Sequence, residues 1–389
     1  MERVTVIVLA AIALGAGGIA GGAEEPVKLG ALYPLTGTGA VYGSPALLGH
    51  EMAVDEINAA GGINGRRVVA VARDTRLKPA AAAAAARELI TREGVDVLLG
   101  GLSSAVGLAV SEVARQEKVI YIATIPKTTQ LTTTRLHKYV FRTAANTDGE
   151  GRGIARVLGQ IGARKVCQIQ FDYAYGHDLA AGIARALPQE APEAEIVLDL
   201  KVKLGAADFN PYIARIMAAE CETVASGLWG AAFISLARQG KPFGLFDRVR
   251  YVSGGEIASH EIAGQLKGDF PDNVWSNAYE LWYHAHSPLH EPFQKELARR
   301  QGARETSSWP LLAYVGVKFV EAAAAKAGSM EADALVAALE GLSIETPVGL
   351  RTMDAETHET DTGQFWGPMI KSEEYAFRIM DPVTYIAPD

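Results

Sequence analysis

Between residues 28 and 74 the chain spells out one complete strand–loop–helix–strand unit. An apolar run from Lys28 to Leu32 leads into Tyr33-Pro34-Leu35-Thr36-Gly37 and then Tyr42-Gly43-Ser44-Pro45. Ser44 suits a helix N-cap and Pro45 a first helical position. Ala46, Ala53, Ile57 and Ala60 recur at helical spacing on one face, and Gly61-Gly62 can end that helix. A second strand over 67–72 ends at Asp74. Two strands joined by a helix in this way lie parallel. In an open sheet of parallel strands, small ligands bind where strand carboxyl ends meet helix N-termini.

The alternation continues. Helices are expected over 80–92 and from Ser103-Ser104 to Gln116, with strands over 95–100 and 119–123. A threonine cluster (Thr128, Thr129, Thr132, Thr133, Thr134) precedes a short extended crossing over 139–143. The pattern then restarts. Helices over 149–161, 178–187, 211–219 and 231–239 interleave with strands over 165–171, 195–200, 223–228 and 249–253, and residues 172–176 form a loop. At 389 residues the chain is too long for one ordinary core. The expected fold is therefore α/β, with two Rossmann-like lobes of parallel sheet joined by a multi-strand hinge. A strand over 274–278 is read as returning to the first lobe. Helices over 292–300, 308–327 and 331–339 follow, then strands over 347–353 and 364–371. These boundaries assign 24–143 and 275–346 to lobe 1, and 144–274 and 347–389 to lobe 2. A hinge with several strands allows closure and resists twisting.

The formal net charge of −8 argues against nucleic acid as a partner and supplies no basic patch for a membrane surface. Residues 4–20 are apolar or glycine apart from Thr5, and Gly21-Gly22-Ala23 fits a small-x-small cleavage site. Residues 1–23 therefore read as a signal peptide cleaved near Ala23 rather than a membrane anchor. The mature chain is expected in the periplasm, with no membrane insertion after cleavage. Cys167 lies early in one expected strand and Cys221 just before another. If those strands are neighbours, an exported protein can join them in a disulfide; two free buried thiols are the alternative.

Pro34-Leu35-Thr36-Gly37, Tyr42-Gly43 and the run Asp55-Glu56-Ile57-Asn58-Ala59-Ala60-Gly61-Gly62-Ile63-Asn64-Gly65 resemble the signature of type I periplasmic solute-binding proteins of the branched-chain amino acid receptor group. Gly100-Gly101-Leu102-Ser103-Ser104, Phe141-Arg142-Thr143, Tyr173-Ala174-Tyr175-Gly176 and Asp208-Phe209 support it. The resemblance implies a receptor that closes on a small ligand between its lobes and hands it to the permease of an ABC importer. It implies a monomer without metal or cofactor. Position by position, it implies a cleft containing Tyr42, Ser104, Ile125, Lys127, Tyr175, Trp229, Glu256 and Trp309. In amino-acid-binding members the Ser104 position and a threonine at the Lys127 position hold the ligand carboxylate, and an acid near Glu256 holds the ammonium. This chain keeps Ser104, has Lys127 for the threonine and Trp229 for a usual tyrosine, and offers Glu256 or Gly255 depending on a one-residue shift. Both ends of α-amino acid recognition have therefore changed.

Read on their own chemistry, the same residues make a consistent set. Ser104, opening a helix after a strand, can present its hydroxyl and free N–H groups to a carboxylate, or act as a plain N-cap. Lys127 can pair with an anionic ligand group, or be a solvated loop lysine. Tyr42, Tyr175, Trp229 and Trp309 can sandwich an apolar or planar ligand, or pack a core. Glu256 can bind an ammonium or amide, or sit as a surface acid. His284, His286, His290 and Glu291 have zinc-compatible spacing, but on a Pro- and Ser-rich segment that reads as a solvated loop. Residues 354–361 read as a polar loop. No catalytic set is expected: there is no Gly-x-Ser-x-Gly elbow, phosphate loop or dinucleotide fingerprint in place. The expected ligand is small, amino-acid-like or carboxylate-bearing, with an apolar or aromatic part. A sensory receptor of the same fold and a cleft hydrolase are the competing functions.

Overall fold

The computed structural model describes residues 25–388, so the leader expected over 1–23 lies outside the described residues. Strands β1 (Val27–Tyr33), β2 (Val68–Asp74), β3 (Val97–Gly100), β4 (Ile120–Ala123) and β5 (Val140–Arg142) form one parallel sheet in the order β2-β1-β3-β4-β5. Its inner strands are apolar on both faces because helices cover both. Leu29 and Ala31 join one buried cluster with the helices Ala40–Ala59 and Trp309–Ala327. Leu32 and Leu98 join another with Pro79–Glu88 and Ser104–Glu117.

The second sheet contains β6 (Lys165–Phe171), β7 (Glu195–Val202), β8 (Thr223–Ser226), β9 (Arg250–Ser253) and β10 (Val274–Ala278). After the hairpin β11 (Ser343–Thr346) and β12 (Gly349–Thr352), it is completed by β13 (Gln364–Ile370), β14 (Ile379–Met380) and β15 (Thr384–Ile386). Its order is β14-β13-β10-β9-β8-β6-β7, with β15 also paired to β13. Strand β13 runs antiparallel to β10. Cys167 and Cys221 are joined in a disulfide, their Cα atoms 5.7 Å apart, and β6 and β8 are indeed neighbours.

Three expectations are corrected. Residues 274–278 do not return to the first lobe: Trp275 pairs with Val252 on one side and Pro368 on the other, so the chain crosses only after β10. Lobe 1 accordingly does not resume at 275. The hairpin β11–β12 straddles the expected 346/347 boundary and packs by the helix Trp309–Ala327. Finally, two helices start earlier than their local signals suggest. The first begins at Ala40, behind a 3₁₀ turn over Gly37–Gly39, which puts Pro45 inside it; the other spans Ala174–Glu190. Glycine explains both. A Cβ on Gly43 would lie 2.0 Å from the Pro34 carbonyl oxygen, and one on Gly176 2.0 Å from that of Phe171. Each helix therefore sits directly on its strand end, and Tyr42 and Tyr175 fall in first helical turns rather than in loops.

Among the described residues the chain passes between the sheets at 143–146, 279–289 and 353–363. Arg142, fully buried, ties the hinge together. Its guanidinium donates to the carbonyls of Lys127 (3.2 Å) and Thr128 (2.5 Å), to Thr132 Oγ1 (2.7 Å) and to the Glu359 carboxylate. The Thr360 and Thr362 hydroxyls donate to the Thr143 carbonyl at 3.1 and 3.0 Å. Among the described residues no helix is long and apolar enough to cross a membrane.

Candidate ligand-binding site

Strand β3 ends in Gly100-Gly101-Leu102, and the next helix starts at Ser104. Ser103 caps it, its Oγ accepting from the Val106 N–H at 3.3 Å. That frees Ser104, whose Oγ accepts from the Thr128 N–H at 3.1 Å and keeps its own proton to donate. Among the described residues, the backbone N–H groups of Ser104 and Ala105 meet no protein acceptor, as expected in a first helical turn. Ser104 faces an interlobe cavity.

All eight residues expected at the cleft line this one cavity: Tyr42, Ser104, Ile125, Lys127, Tyr175, Trp229, Glu256 and Trp309. Leu102 and Tyr173 also line it and were missed, although each lies two residues before an expected site residue on the same strand-to-helix connection. The aromatic side chains meet across the lobes. Tyr42 stands edge-on to Trp309 at 4.8 Å and to Trp229 at 5.7 Å between ring centroids, and Trp229 leans on Phe171 at 5.4 Å. The lobes are thus closed. Among the described residues the buried Tyr42 hydroxyl and Trp309 Nε1 have no hydrogen-bond partner.

Lys127 is placed otherwise than either sequence reading expected. It is neither solvated nor a free cation: it is 6% exposed, and its ammonium is paired with both Glu150 and Glu256 across the lobe boundary. The rings of Tyr279 and Tyr175 lie 5.3 and 5.7 Å from it. Burial opposes the charge, but the two carboxylates prevail and hold the ammonium above its ordinary pKa.

Glu150 is the residue that sequence reasoning missed. It sits in the first turn of the helix Thr147–Gln160, capped by Asn146, whose Oδ1 accepts from the Gly149 N–H at 2.7 Å. The signal was present: Glu150 shares the buried stripe of Ile154, Val157 and Leu158, where an apolar residue belongs. Its Oε1 accepts from the Tyr175 hydroxyl at 2.6 Å.

Glu256 adopts a left-handed backbone (φ 48°) just after β9, and its N–H donates to Asn277 Oδ1 at 2.8 Å. Its Oε1 accepts from Lys127, from Asn277 Nδ2 (3.1 Å) and from Gln364 Nε2 (3.0 Å). Among the described residues Oε2 has no protein donor. Burial, reinforced by Glu150 and opposed by Lys127, pushes this carboxyl up to about 7.

The histidines expected to lie in a solvated loop do other work. His290 is buried and bonds Glu280 at 3.0 Å, while His286 stacks on Phe365 at 3.7 Å. Among the described residues no group of three or more His, Cys, Asp and Glu is arranged to hold a metal ion.

This site geometry sits in a recognisable setting. The family described as periplasmic binding protein matches residues 26–366. A Leu/Ile/Val-binding protein homolog of Brucella melitensis is 28% identical over 353 residues, covering 90% of this chain and 92% of its own. Among solved structures, a solute-binding protein of an ABC transporter from R. palustris, in complex with 4-hydroxybenzoate, superposes with a TM-score of 0.84 at 22% identity. It covers 94% of this chain and 98% of its own. The branched-chain amino acid transporter substrate-binding protein of Streptococcus pneumoniae, in complex with isoleucine, superposes with a TM-score of 0.80 at 22% identity, covering 94% and 100%. The chain belongs to the periplasmic binding protein family, as a type I solute-binding receptor of the branched-chain amino acid receptor group.

Proposed function

We propose that this receptor captures a small carboxylate-bearing ligand with an apolar or aromatic body and delivers it to the permease of an ABC importer. The observation that carries the ligand class is the imbalance of hydrogen-bonding groups around the cavity. Donors belong to residues that line it: the Ser104 hydroxyl and N–H, and the Tyr42 hydroxyl and Trp309 Nε1, which among the described residues are unpartnered. Against them stands one open acceptor, Glu256 Oε2. A carboxylate satisfies several such donors at once, whereas leaving them desolvated and unpaired costs roughly 1–3 kcal/mol each. The remaining wall, formed by Trp229, Leu102 and Ile125, suits an apolar body. The 4-hydroxybenzoate and isoleucine of the two solved relatives each carry a carboxylate on such a body.

The site residues act as binding groups: Ser104 and the start of its helix for the carboxylate, Tyr42, Trp229 and Trp309 for the body. Contacts from both lobes favour the closed form, which docks on the permease. In this reading the protein is exported by a leader cleaved near Ala23, works as a monomer in the periplasm, and turns nothing over. A thermal-shift screen of the purified mature protein against aliphatic acids, aromatic acids, α-amino acids and neutral amides tests the ligand class. At least one carboxylate should raise the melting temperature, and Ser104→Ala should reduce that shift. A shift by neutral amides alone would overturn the reading.

A further inference from the structure

Two carboxylates, Glu150 and Glu256, come from different elements of lobe 2, and one ammonium, Lys127, reaches them from lobe 1. All three are buried. A ligand ammonium seeking Glu256 would find its Oε1 already filled by Lys127, Asn277 and Gln364. Building on the receptor reading above, we propose that Lys127 acts as an internal counter-ion that replaces the ligand's α-ammonium, so that the receptor selects carboxylic acids lacking an α-amino group and captures them together with one proton on Glu256.

The proton follows from charge count. With both glutamates ionised the closed cavity holds one uncompensated negative charge, and an incoming carboxylate would make it two. In a desolvated site that excess is removed most cheaply by a proton. Glu256 is the group placed to take it. Both Glu150 oxygens already accept hydrogen bonds, from Tyr175 on one side and Lys127 on the other. Glu256 Oε2 is open, and a proton there becomes a donor toward the ligand.

Among the described residues the groups around Glu256 supply no other positive charge. From lobe 1 it meets Lys127 and, more remotely, Tyr42. From lobe 2 and the hinge it meets Glu150, Tyr173, Tyr175 and Tyr279, with neutral Asn277 and Gln364 in hydrogen-bond contact. The tyrosines are pushed above their ordinary values by burial and stay neutral. Arg142, the buried cation on the adjoining hinge strand, is engaged by Glu359. Burial already raises the carboxyl of Glu256 to about 7.

Matched ligand pairs that differ only in the α-ammonium test the proposal on the intact mature protein. 3-Phenylpropanoate should bind at least tenfold tighter than phenylalanine, or 4-methylpentanoate at least tenfold tighter than leucine. Because Glu256 takes up a proton on binding, affinity for the acid should fall severalfold as pH rises from 6 to 8. Calorimetry in buffers of different ionisation enthalpy should register proton uptake, rising toward one per ligand at pH 8. Glu256→Gln should tighten acid binding at pH 8 severalfold and abolish the pH slope. Lys127→Ala, if it folds, should gain affinity for phenylalanine or leucine, whose ammonium then fills the vacated place. The proposal is overturned if the amino acid of each pair binds wild type as tightly as its partner, if affinity is flat from pH 6 to 8, or if Glu256→Gln keeps the wild-type slope. Amino acid binding would leave the carboxylate-receptor reading intact. Failure of every carboxylate, amino or not, would remove both.

Discussion

Asp178 offers a direct handle on lobe closure, because it clasps the two lobes without lining the ligand cavity. It lies in the helix Ala174–Glu190 of lobe 2 and accepts from the Thr128 hydroxyl and from Gln130 Nε2 (3.3 Å), both just after β4 in lobe 1. A buried charge-assisted hydrogen bond contributes roughly 1.5–3 kcal/mol. Asp178 is only half-buried and the Gln130 contact is long, so Asp178→Ala should cost the closed form about 1.4 kcal/mol. The open form, in which Thr128 and Asp178 are apart, loses nothing. If the free receptor is open and the liganded one closed, the whole difference enters the binding equilibrium, and the dissociation constant should rise about tenfold. If the free receptor is itself closed, part of the cost appears instead as a larger radius of gyration of the free protein. Calorimetric titration with the acid identified by screening, paired with small-angle scattering, reads both. Thr128→Val should reproduce the effect, and the double variant should add little to either single change. A wild-type dissociation constant together with a wild-type radius of gyration in Asp178→Ala would refute the clasp and the closure argument built on it.

Acid sensitivity should have an identifiable source in His50. It is fully buried, both ring nitrogens lack a partner among the described residues, and burial lowers its pKa to about 4. A folded pKa below the unfolded one gives stability that is full above about 6.5 and lost as pH falls toward 4. Chemical denaturation should show roughly 2 kcal/mol lost between pH 7.5 and 5, and His50→Leu should largely flatten that slope; an unchanged slope would remove the assignment. Gly49 is where the helices Ala40–Ala59 and Trp309–Ala327 meet, since a Cβ there would lie 2.0 Å from the Pro310 carbonyl oxygen. Gly49→Ala should therefore destabilise by roughly 3 kcal/mol and, by pushing Trp309 from the cavity wall, weaken ligand binding as well. Wild-type denaturation and affinity would mean the two backbones are not in such contact.

Much of this protein was legible along the chain, where the determining interactions are short in sequence. The α/β alternation follows from spacing of apolar runs, and the glycines and prolines around residues 34–65 mark a particular strand–loop–helix connection. The cleft residues were named from the family resemblance, not from local pattern. Ser104, Ile125, Lys127, Trp229 and Glu256 each follow a strand of a parallel sheet, and those ends converge by topology. The alternation itself depends on neighbours within a few turns, so local pattern suffices to place the strand ends.

What tertiary structure alone decided was partnership. Lys127 meets Glu150 at a separation of 23 residues and Glu256 at 129, and no periodicity connects them. The alternation that placed Lys127 at a strand end left open whether its charge would face solvent, ligand or protein. The same limit applies to β10, whose five apolar and polar residues suit either sheet until both its edges are paired, and to the early helix starts, set by backbone approach at Gly43 and Gly176. The chain by itself determined what kind of receptor this is and where its cleft lies. Only the closed fold, by burying one ammonium against two carboxylates, decided the charge that a ligand finds there.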